Sequence, residues 1–239
     1  MEKQYRKAAF AGLSLVLLLF SSSLYAVPVT VVSVGADWSD VQGGAGTVNF
    51  IDSDPISPGD EEIRWGTATD AGQSGYRVDA AAVPFTVETG DVFSLGLFTH
   101  TNQPIVFDTS ITGAQLDIYT ELMIGGMLFN EGAFSFAFTH NETSNGCEPL
   151  PVCASDIVSF AGLETSDTFF IDGIEYTLDL VGFAVNGMVF DELSTLERSI
   201  NTAELLATFR AVPAPPAILL MALGLMGIAF SRKPKRSLI

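Results

Sequence analysis

Two stretches decide the fold class of this chain: residues 134–138, FSFAF, and residues 116–121, LDIYTE. In the first, phenylalanines alternate with serine and alanine, and in the second, leucine, isoleucine and threonine alternate with aspartate, tyrosine and glutamate. A period of two is typical of a β-strand, because successive side chains of a strand point to opposite faces of the sheet. Both stretches therefore predict strands with one face turned towards an apolar core.

The same alternation recurs along the chain between clusters of Gly, Asp, Asn, Ser and Pro, which are typical of turns. The further strand-like stretches are residues 29–34, 47–51, 85–87, 93–97 and 170–180, the last with a possible hairpin over Asp172-Gly173. Only residues 193–209 have a spacing that is partly helical. We predict an all-β fold, an antiparallel β-sandwich of jelly-roll-like arrangement, with an open barrel as the alternative.

The beginning of the chain has the three parts of a secretory signal peptide. Three basic residues come first, residues 8–20 are apolar, and residues 21–26, SSSLYA, are mostly small. We predict cleavage after Ala26, which leaves residues 27–211 as the exported domain. An uncleaved anchor helix is the alternative, although the apolar stretch is short for the roughly 20 residues that span a membrane.

The end of the chain, residues 212–236, also has three parts. A proline motif (Val212, Pro213, Ala214, Pro215) precedes an uncharged run over residues 217–230, and four basic residues follow it (Arg232, Lys233, Lys235, Arg236). A helix over the uncharged run would be about 21 Å long, against a hydrocarbon core of about 30 Å. Because the basic end fits the positive-inside rule, we nevertheless predict a transmembrane helix there, with the basic residues as a cytoplasmic stop.

This order of proline motif, short helix and basic end resembles the PEP-CTERM sorting signal, over residues 212–236. The resemblance implies an exosortase-type sorting protease as a partner, which would remove the tail and pass the protein outward. The protein would then lie in the inner membrane before sorting and at the cell surface or outside the cell afterwards. The usual motif of the family is Val-Pro-Glu-Pro, and Ala214 stands where that Glu would be. A plain C-terminal anchor is the alternative.

Between these ends the chain is strongly acidic. Residues 27–212 contain 4 of the 11 basic residues and 27 of the 28 acidic ones, and they contain no lysine. Such a domain repels phosphate backbones, so nucleic-acid binding is excluded. The charge favours solubility and attracts cations.

Two cysteines, Cys147 and Cys153, enclose the sequence CEPLPVC. In an oxidising compartment this pair predicts a disulfide across a surface loop. The loop is short, so the disulfide would contribute about 2 kcal/mol to stability.

Hard oxygen ligands are concentrated in residues 52–62, DSDPISPGDEE. They suggest a calcium site. We predict no other cofactor for this protein. The predicted ligands are Asp52, Asp54, Asp60 and Glu62. Their spacing is not that of an EF-hand, and a solvated acidic loop is the alternative.

Residues 93–105, FSLGLFTHTNQPI, contain the element Thr99-His100-Thr101-Asn102. With RWGT…GQSGY at residues 64–76 and NETSNGC…CASDIVSF at residues 141–160, it resembles the THxN family of PEP-CTERM proteins and is similar to choice-of-anchor domains. The resemblance implies an exported, sorted protein and brings no catalytic residues.

The motif residues Thr99, His100 and Asn102 come at the predicted end of a strand, where side chains of these types bond local backbone or carboxylates. The tripeptide Phe-Thr-His recurs at residues 138–140, again after alternating aromatic residues, which suggests two equivalent strand ends. We expect His100 to hold the loop in place. A metal site of His100, His140 and a carboxylate is the alternative.

No serine elbow, HExxH or nucleophile–base signature is present. We therefore predict a non-enzymatic protein of the cell surface or extracellular matrix, with a structural or adhesive role. An association with exopolysaccharide is implied by the resemblance to PEP-CTERM proteins. The alternatives are a calcium-dependent carbohydrate-binding module and a secreted hydrolase with paired carboxylates.

Overall fold

The computed structural model describes residues 26–52, 59, 61–143, 155–160 and 168–212. Their strands, in chain order, are β1 (Pro28–Gly43), β2 (Asn49–Ile51), β3 (Glu62–Trp65), β4 (Ser74–Ala80), β5 (Phe85–Glu88), β6 (Val92–Asn102), β7 (Ile111–Ile124), β8 (Met127–Asn141), β9 (Asp156–Phe160), β10 (Thr168–Ile171), β11 (Ile174–Val185), β12 (Met188–Phe190), β13 (Glu192–Thr195) and β14 (Ser199–Ala211). A 3₁₀ turn, Gly44–Gly46, follows β1. The all-β class is therefore confirmed for this part of the chain.

The strands form two antiparallel sheets. The first has six strands in the order β13-β9-β8-β7-β1-β5. The second has eight, in the order β10-β11-β14-β6-β4-β3-β2, with β12 paired to β11 beside this path. The partly helical spacing of residues 193–209 is misleading, because these residues form β13 and most of β14.

The two sheets pack face to face around aromatic side chains. The ring centroids of Trp38 on β1 and Tyr76 on β4 lie 5.4 Å apart. Phe98 on β6 stacks on Phe138 on β8, with ring centroids 5.8 Å apart. Each such pair contributes about 0.5–1.5 kcal/mol beyond the burial of its area. Two antiparallel sheets with a shared apolar core are the arrangement of a β-sandwich.

The local predictions for two segments are confirmed. Phe134, Phe136 and Phe138 are all buried on one face of β8. The hairpin between β10 and β11 turns at Asp172 and Gly173, which have φ values of 50° and 80°. Positive φ at both central residues is typical of the two-residue turns that match the twist of paired strands.

Near its end the chain crosses from one sheet to the other and back. Strand β12 belongs to the second sheet, β13 pairs with β9 in the first, and β14 returns to the second. This crossing brings Thr195, the last residue of β13, opposite Asp156, the first residue of β9. The ends of β6 and β8 lie at the same end of the sandwich, as their ring contacts show.

Several predictions concern residues outside the described ranges. These are the signal peptide up to Tyr25, the tail after Val212, the cysteines Cys147 and Cys153, and the acidic residues Asp54 and Asp60. In the ranges that are described, no helix is long and apolar enough to cross a membrane.

Candidate functional site

Both histidines of the chain continue an apolar stripe of a strand at one end of the sandwich. On β6, Phe98, His100 and Asn102 follow one another at a spacing of two and are all buried. On β8, His140 continues the row of phenylalanines in the same way. The two Phe-Thr-His tripeptides thus end two facing strands, as expected, and their imidazole rings lie 5.4 Å apart at an angle of 88°.

The hydrogen bonds of His100 define its tautomer. The hydroxyl of Thr195 donates to the backbone carbonyl of Asp156 over 3.1 Å, and its oxygen lies 2.9 Å from Nδ1 of His100. Because a hydroxyl has one hydrogen, Nδ1 of His100 is the donor in the second bond. Nε2 therefore carries a lone pair, which is buried and has no hydrogen-bond partner. Burial, and then the charges of His140 and Arg64, hold the pKa of His100 well below its usual value, so the ring is neutral.

His140 is held between Tyr76 and two carboxylates. Its Nδ1 lies 2.6 Å from the hydroxyl of Tyr76, whose pKa is raised by burial, so that the phenol keeps its proton. Its Nε2 lies 3.4 Å from Oε2 of Glu142 and 3.8 Å from Oδ2 of Asp156. The indole of Trp65 covers both imidazoles, with ring centroids 5.8 Å from His100 and 5.3 Å from His140.

Three carboxylates complete the group. Oδ1 of Asp156 accepts from the backbone N–H of Thr143 over 2.8 Å, and Oε2 of Glu142 accepts from the hydroxyl of Ser110 over 2.9 Å. Oδ2 of Asp156 and Oε1 of Glu142 are buried and have no hydrogen-bond partner, and the carboxylate of Glu197 lies beside the backbone N–H of Arg198. Burial, and then the charge of Glu142, raises the pKa of Asp156 and of Glu197 to about 7 each.

We call these five residues, His100, His140, Glu142, Asp156 and Glu197, the His–carboxylate cluster. One donor atom from each of His100, His140 and Asp156 lies within 4.8 Å of the others, and the same holds for Glu142, Asp156 and Glu197. Two imidazole nitrogens with a carboxylate oxygen are a donor set that suits zinc and similar transition metals.

A pocket of about 660 Å³ opens beside this cluster. It is lined by residues 105–108, 110–112 and 140–143, so His140 and Glu142 belong to both the pocket wall and the cluster. Phe107, at this pocket, is 95% exposed. The pocket therefore reaches the cluster on the side of His140 and Glu142.

The residues predicted from sequence are brought together only in part. Of the THxN motif, His100 and Asn102 face the core, and Thr99 on the opposite face of β6 is half-buried. Of the predicted calcium ligands, Asp52 is exposed and Glu62 forms an ion pair with Arg64. The calcium set stays a prediction, since Asp54 and Asp60 lie outside the described residues.

Sequence reasoning anticipated a carboxylate beside the two histidines but did not identify it. It missed Tyr76, Glu142, Asp156, Thr195 and Glu197. Only Glu142 carries a local signal, because it follows His140 by two residues.

No protein-family model matches this chain, and no curated protein is detectably similar to it in sequence. The class defined by fold and site is thus a β-sandwich protein with a buried His–carboxylate cluster.

Proposed function

We propose that this is an exported, non-enzymatic protein of the cell surface or extracellular matrix, with a structural or adhesive role associated with exopolysaccharide. Its exported part would be one jelly-roll-like β-sandwich, residues 27–211. The observation that carries the non-enzymatic role is the enclosure of His100, whose side chain is completely buried against Trp65 and Tyr76. A general base must reach the proton that it removes from a substrate, and a fully enclosed imidazole does not.

The two ends of the chain support export and sorting. The signal peptide over residues 1–26 would direct the chain through the inner membrane. The helix over residues 217–230 and its basic end would hold it there until an exosortase-type protease cuts near the proline motif. The acidic charge of the exported part favours a soluble state after release.

The test is the intact mass of the protein from its own host, with separation of inner membrane, cell surface and medium. We expect a chain that begins at Val27 and ends near Val212 or Pro213, found outside the inner membrane. Replacing Pro215 with alanine should leave the tail in place, and Ala214→Glu, which restores the usual residue of the motif, should still be processed. Full-length protein in the inner membrane would contradict sorting and favour a plain anchor.

The association with exopolysaccharide has its own test. The purified, processed protein is sedimented with the exopolysaccharide of its host, and an acidic β-sandwich protein of similar size serves as the control. Retention of the protein with the polysaccharide, above that of the control, is the expected result. Equal distribution of the two proteins would remove this part of the proposal.

One observation favours the alternative of a calcium-dependent carbohydrate-binding module. Phe107 presents an almost fully exposed ring at a pocket that also contains Asp108, Asn141 and Glu142. Pockets with an apolar surface and a few polar groups are typical ligand sites. Glycan binding that needs calcium and is lost in Phe107→Ala would support this function. The matched control is Phe50→Ala, since Phe50 is an exposed phenylalanine on β2.

A further inference from the structure

We propose that the His–carboxylate cluster binds one divalent transition-metal ion of the zinc class, with the imidazoles of His100 and His140 and the carboxylate of Asp156 as ligands. The proposal concerns the domain itself and does not depend on the export, sorting or matrix role proposed above. It rests on four features of the cluster. Its buried hydrogen-bond acceptors lack partners, and the arginines of the domain form ion pairs elsewhere. Its ligand atoms lie close together, and hydrogen bonds orient the side chains that carry them.

The first feature is that, apart from the indole N–H of Trp65, the unpartnered polar atoms of the described residues at this end of the sandwich are acceptors. They are Nε2 of His100, Oδ1 of Asn102, Oε1 of Glu142 and Oδ2 of Asp156. Buried polar groups in folded proteins nearly always have a hydrogen-bond partner, because a polar group that is removed from water and gains no new hydrogen bond costs free energy. A bound cation would satisfy such a group of buried lone pairs at once.

The second feature is that the cations of the domain itself are engaged elsewhere. Residues 27–212 contain no lysine and four arginines. All four arginines form ion pairs with carboxylates outside the cluster: Arg64 with Glu62, Arg77 with Asp79, Arg198 with Asp70, and Arg210 with Asp179. The three carboxylates of the cluster therefore have no ion pair with an arginine, and a bound cation would supply the positive charge beside them.

The third feature is the spacing of the donor atoms. Ligand atoms at about 2.0–2.1 Å from a tetrahedral zinc ion lie about 3.3–3.5 Å from one another. Nε2 of His140 lies 3.4 Å from Oε2 of Glu142 and 3.8 Å from Oδ2 of Asp156. The ligand atoms of His100, His140 and Asp156 lie within 4.8 Å of one another, so small side-chain shifts bring them to the separations that one ion requires. Glu142, beside His140, can provide the fourth ligand.

The fourth feature is that a hydrogen bond orients each proposed ligand. In each side chain this hydrogen bond involves the polar atom that would not bind the ion. Nδ1 of His100 donates to Thr195, Nδ1 of His140 faces Tyr76, and Oδ1 of Asp156 accepts from the N–H of Thr143. Such bonds fix the tautomer and direction of ligands in metal sites. With an ion on Nε2 of His140, its Nδ1 carries the proton and donates to Tyr76.

The donor set also selects the kind of ion. Calcium and magnesium prefer oxygen ligands only, whereas imidazole nitrogens favour zinc and neighbouring transition metals. The adjoining pocket, whose wall includes His140 and Glu142, provides the entry path that a buried site needs.

The experiment uses the full chain without an affinity tag, stripped with a chelator and titrated with zinc chloride. We expect one zinc ion per chain, measured by elemental analysis after gel filtration, and a rise in melting temperature of at least about 5 °C at saturating zinc. Calcium chloride at the same concentration should give no comparable rise. Absence of zinc binding tighter than about 10 μM, together with no thermal shift, would overturn the proposal.

Two variants separate the cluster from general binding to acidic surfaces. Asp156→Asn keeps the shape of the side chain and should weaken zinc binding at least 100-fold, by about 2.7 kcal/mol. Asp117→Asn is the matched control, since Asp117 is also buried but lies on β7 and accepts from Ser39. Equal affinities of the two variants would place the ion elsewhere and refute the site.

A spectroscopic measurement on the unaltered chain covers the case in which Asp156→Asn does not fold. Cobalt(II) replaces zinc in sites of this geometry and gives visible absorption bands when nitrogen and oxygen ligands hold it in tetrahedral coordination. We expect such bands to grow up to one equivalent and to disappear when zinc is added. A cobalt spectrum identical to that of the hydrated ion would contradict the proposal.

Discussion

Replacing Thr195 with valine removes a single hydroxyl from the polar end of the sandwich and keeps the shape of the side chain. That hydroxyl is completely buried, accepts from Nδ1 of His100 over 2.9 Å and donates to the carbonyl of Asp156 over 3.1 Å. In Thr195→Val the N–H of His100 faces a methyl group, and the proton of the ring is no longer held on Nδ1.

The expected loss follows from these two bonds. A buried donor without a partner costs about 1–3 kcal/mol, and an ordinary hydrogen bond contributes about 1 kcal/mol. Because valine fills the same volume, no cavity term is added. The free energy of unfolding should therefore fall by about 2–3 kcal/mol. In a domain of this size each kcal/mol lowers the melting temperature by about 2–4 °C, so we expect a decrease of about 4–12 °C.

The assay is urea unfolding of the metal-free protein, followed by tryptophan fluorescence. Trp38 and Trp65, the two tryptophans of the chain, are both buried in the core and report its exposure to water. The matched control is Thr202→Val, because Thr202 is exposed on β14 and its change should stay within about 0.5 kcal/mol. A loss in Thr195→Val that is no larger than in this control would refute the assigned hydrogen bonds. If zinc binds as proposed, Thr195→Val should also weaken it about 10–100-fold.

Further expectations concern the backbone and the core, both measurable by the same unfolding assay. Gly96→Ala should lower the free energy of unfolding by about 3 kcal/mol or more, because its φ of 153° is strained for alanine and the new methyl carbon would lie 2.2 Å from the carbonyl oxygen of Asp79. Gly90→Ala, with a φ of 94° but open space around it, should lose only about 1 kcal/mol, so equal losses at the two positions would exclude the steric argument. Phe138→Ala should cost about 3–5 kcal/mol, because its fully enclosed ring packs between the sheets, whereas Phe170→Ala removes a ring that is 60% exposed and should cost far less. Similar losses at both phenylalanines would contradict the placement of Phe138 in the core.

The strands can be predicted from the sequence wherever one face of the strand is buried. The alternation in residues 134–138 predicts a strand within β8, and the alternation in residues 93–97 predicts the first half of β6, since side-chain direction along a strand depends only on the local backbone. The same reasoning places His100 and His140 at strand ends. It fails for residues 193–209, whose spacing is partly helical, because pairing of β14 with both β6 and β11 outweighs local preference.

The site is harder to predict from the sequence, because its residues come from strands that are far apart in the chain. Thr195 bonds to His100 across 95 residues, and Asp156 bonds to Thr143 across the segment between β8 and β9. A single sequence contains no period that links such positions. The carboxylates of residues 52–62 suggest a cation site from sequence alone, since their crowding is local, whereas a cluster assembled between two sheets leaves no local pattern.

By itself the sequence determined the all-β class, the alternation that defines the buried faces, and the inward side of His100, since these depend on the geometry of consecutive residues. It also provides the whole basis for predicting export, because such signals are contiguous segments. Only the tertiary structure decided that β13 crosses to the first sheet and carries Thr195 to Asp156. That crossing assembles a buried cluster of lone pairs, and it was decided by how two twisted sheets pack, which no short stretch of the chain encodes.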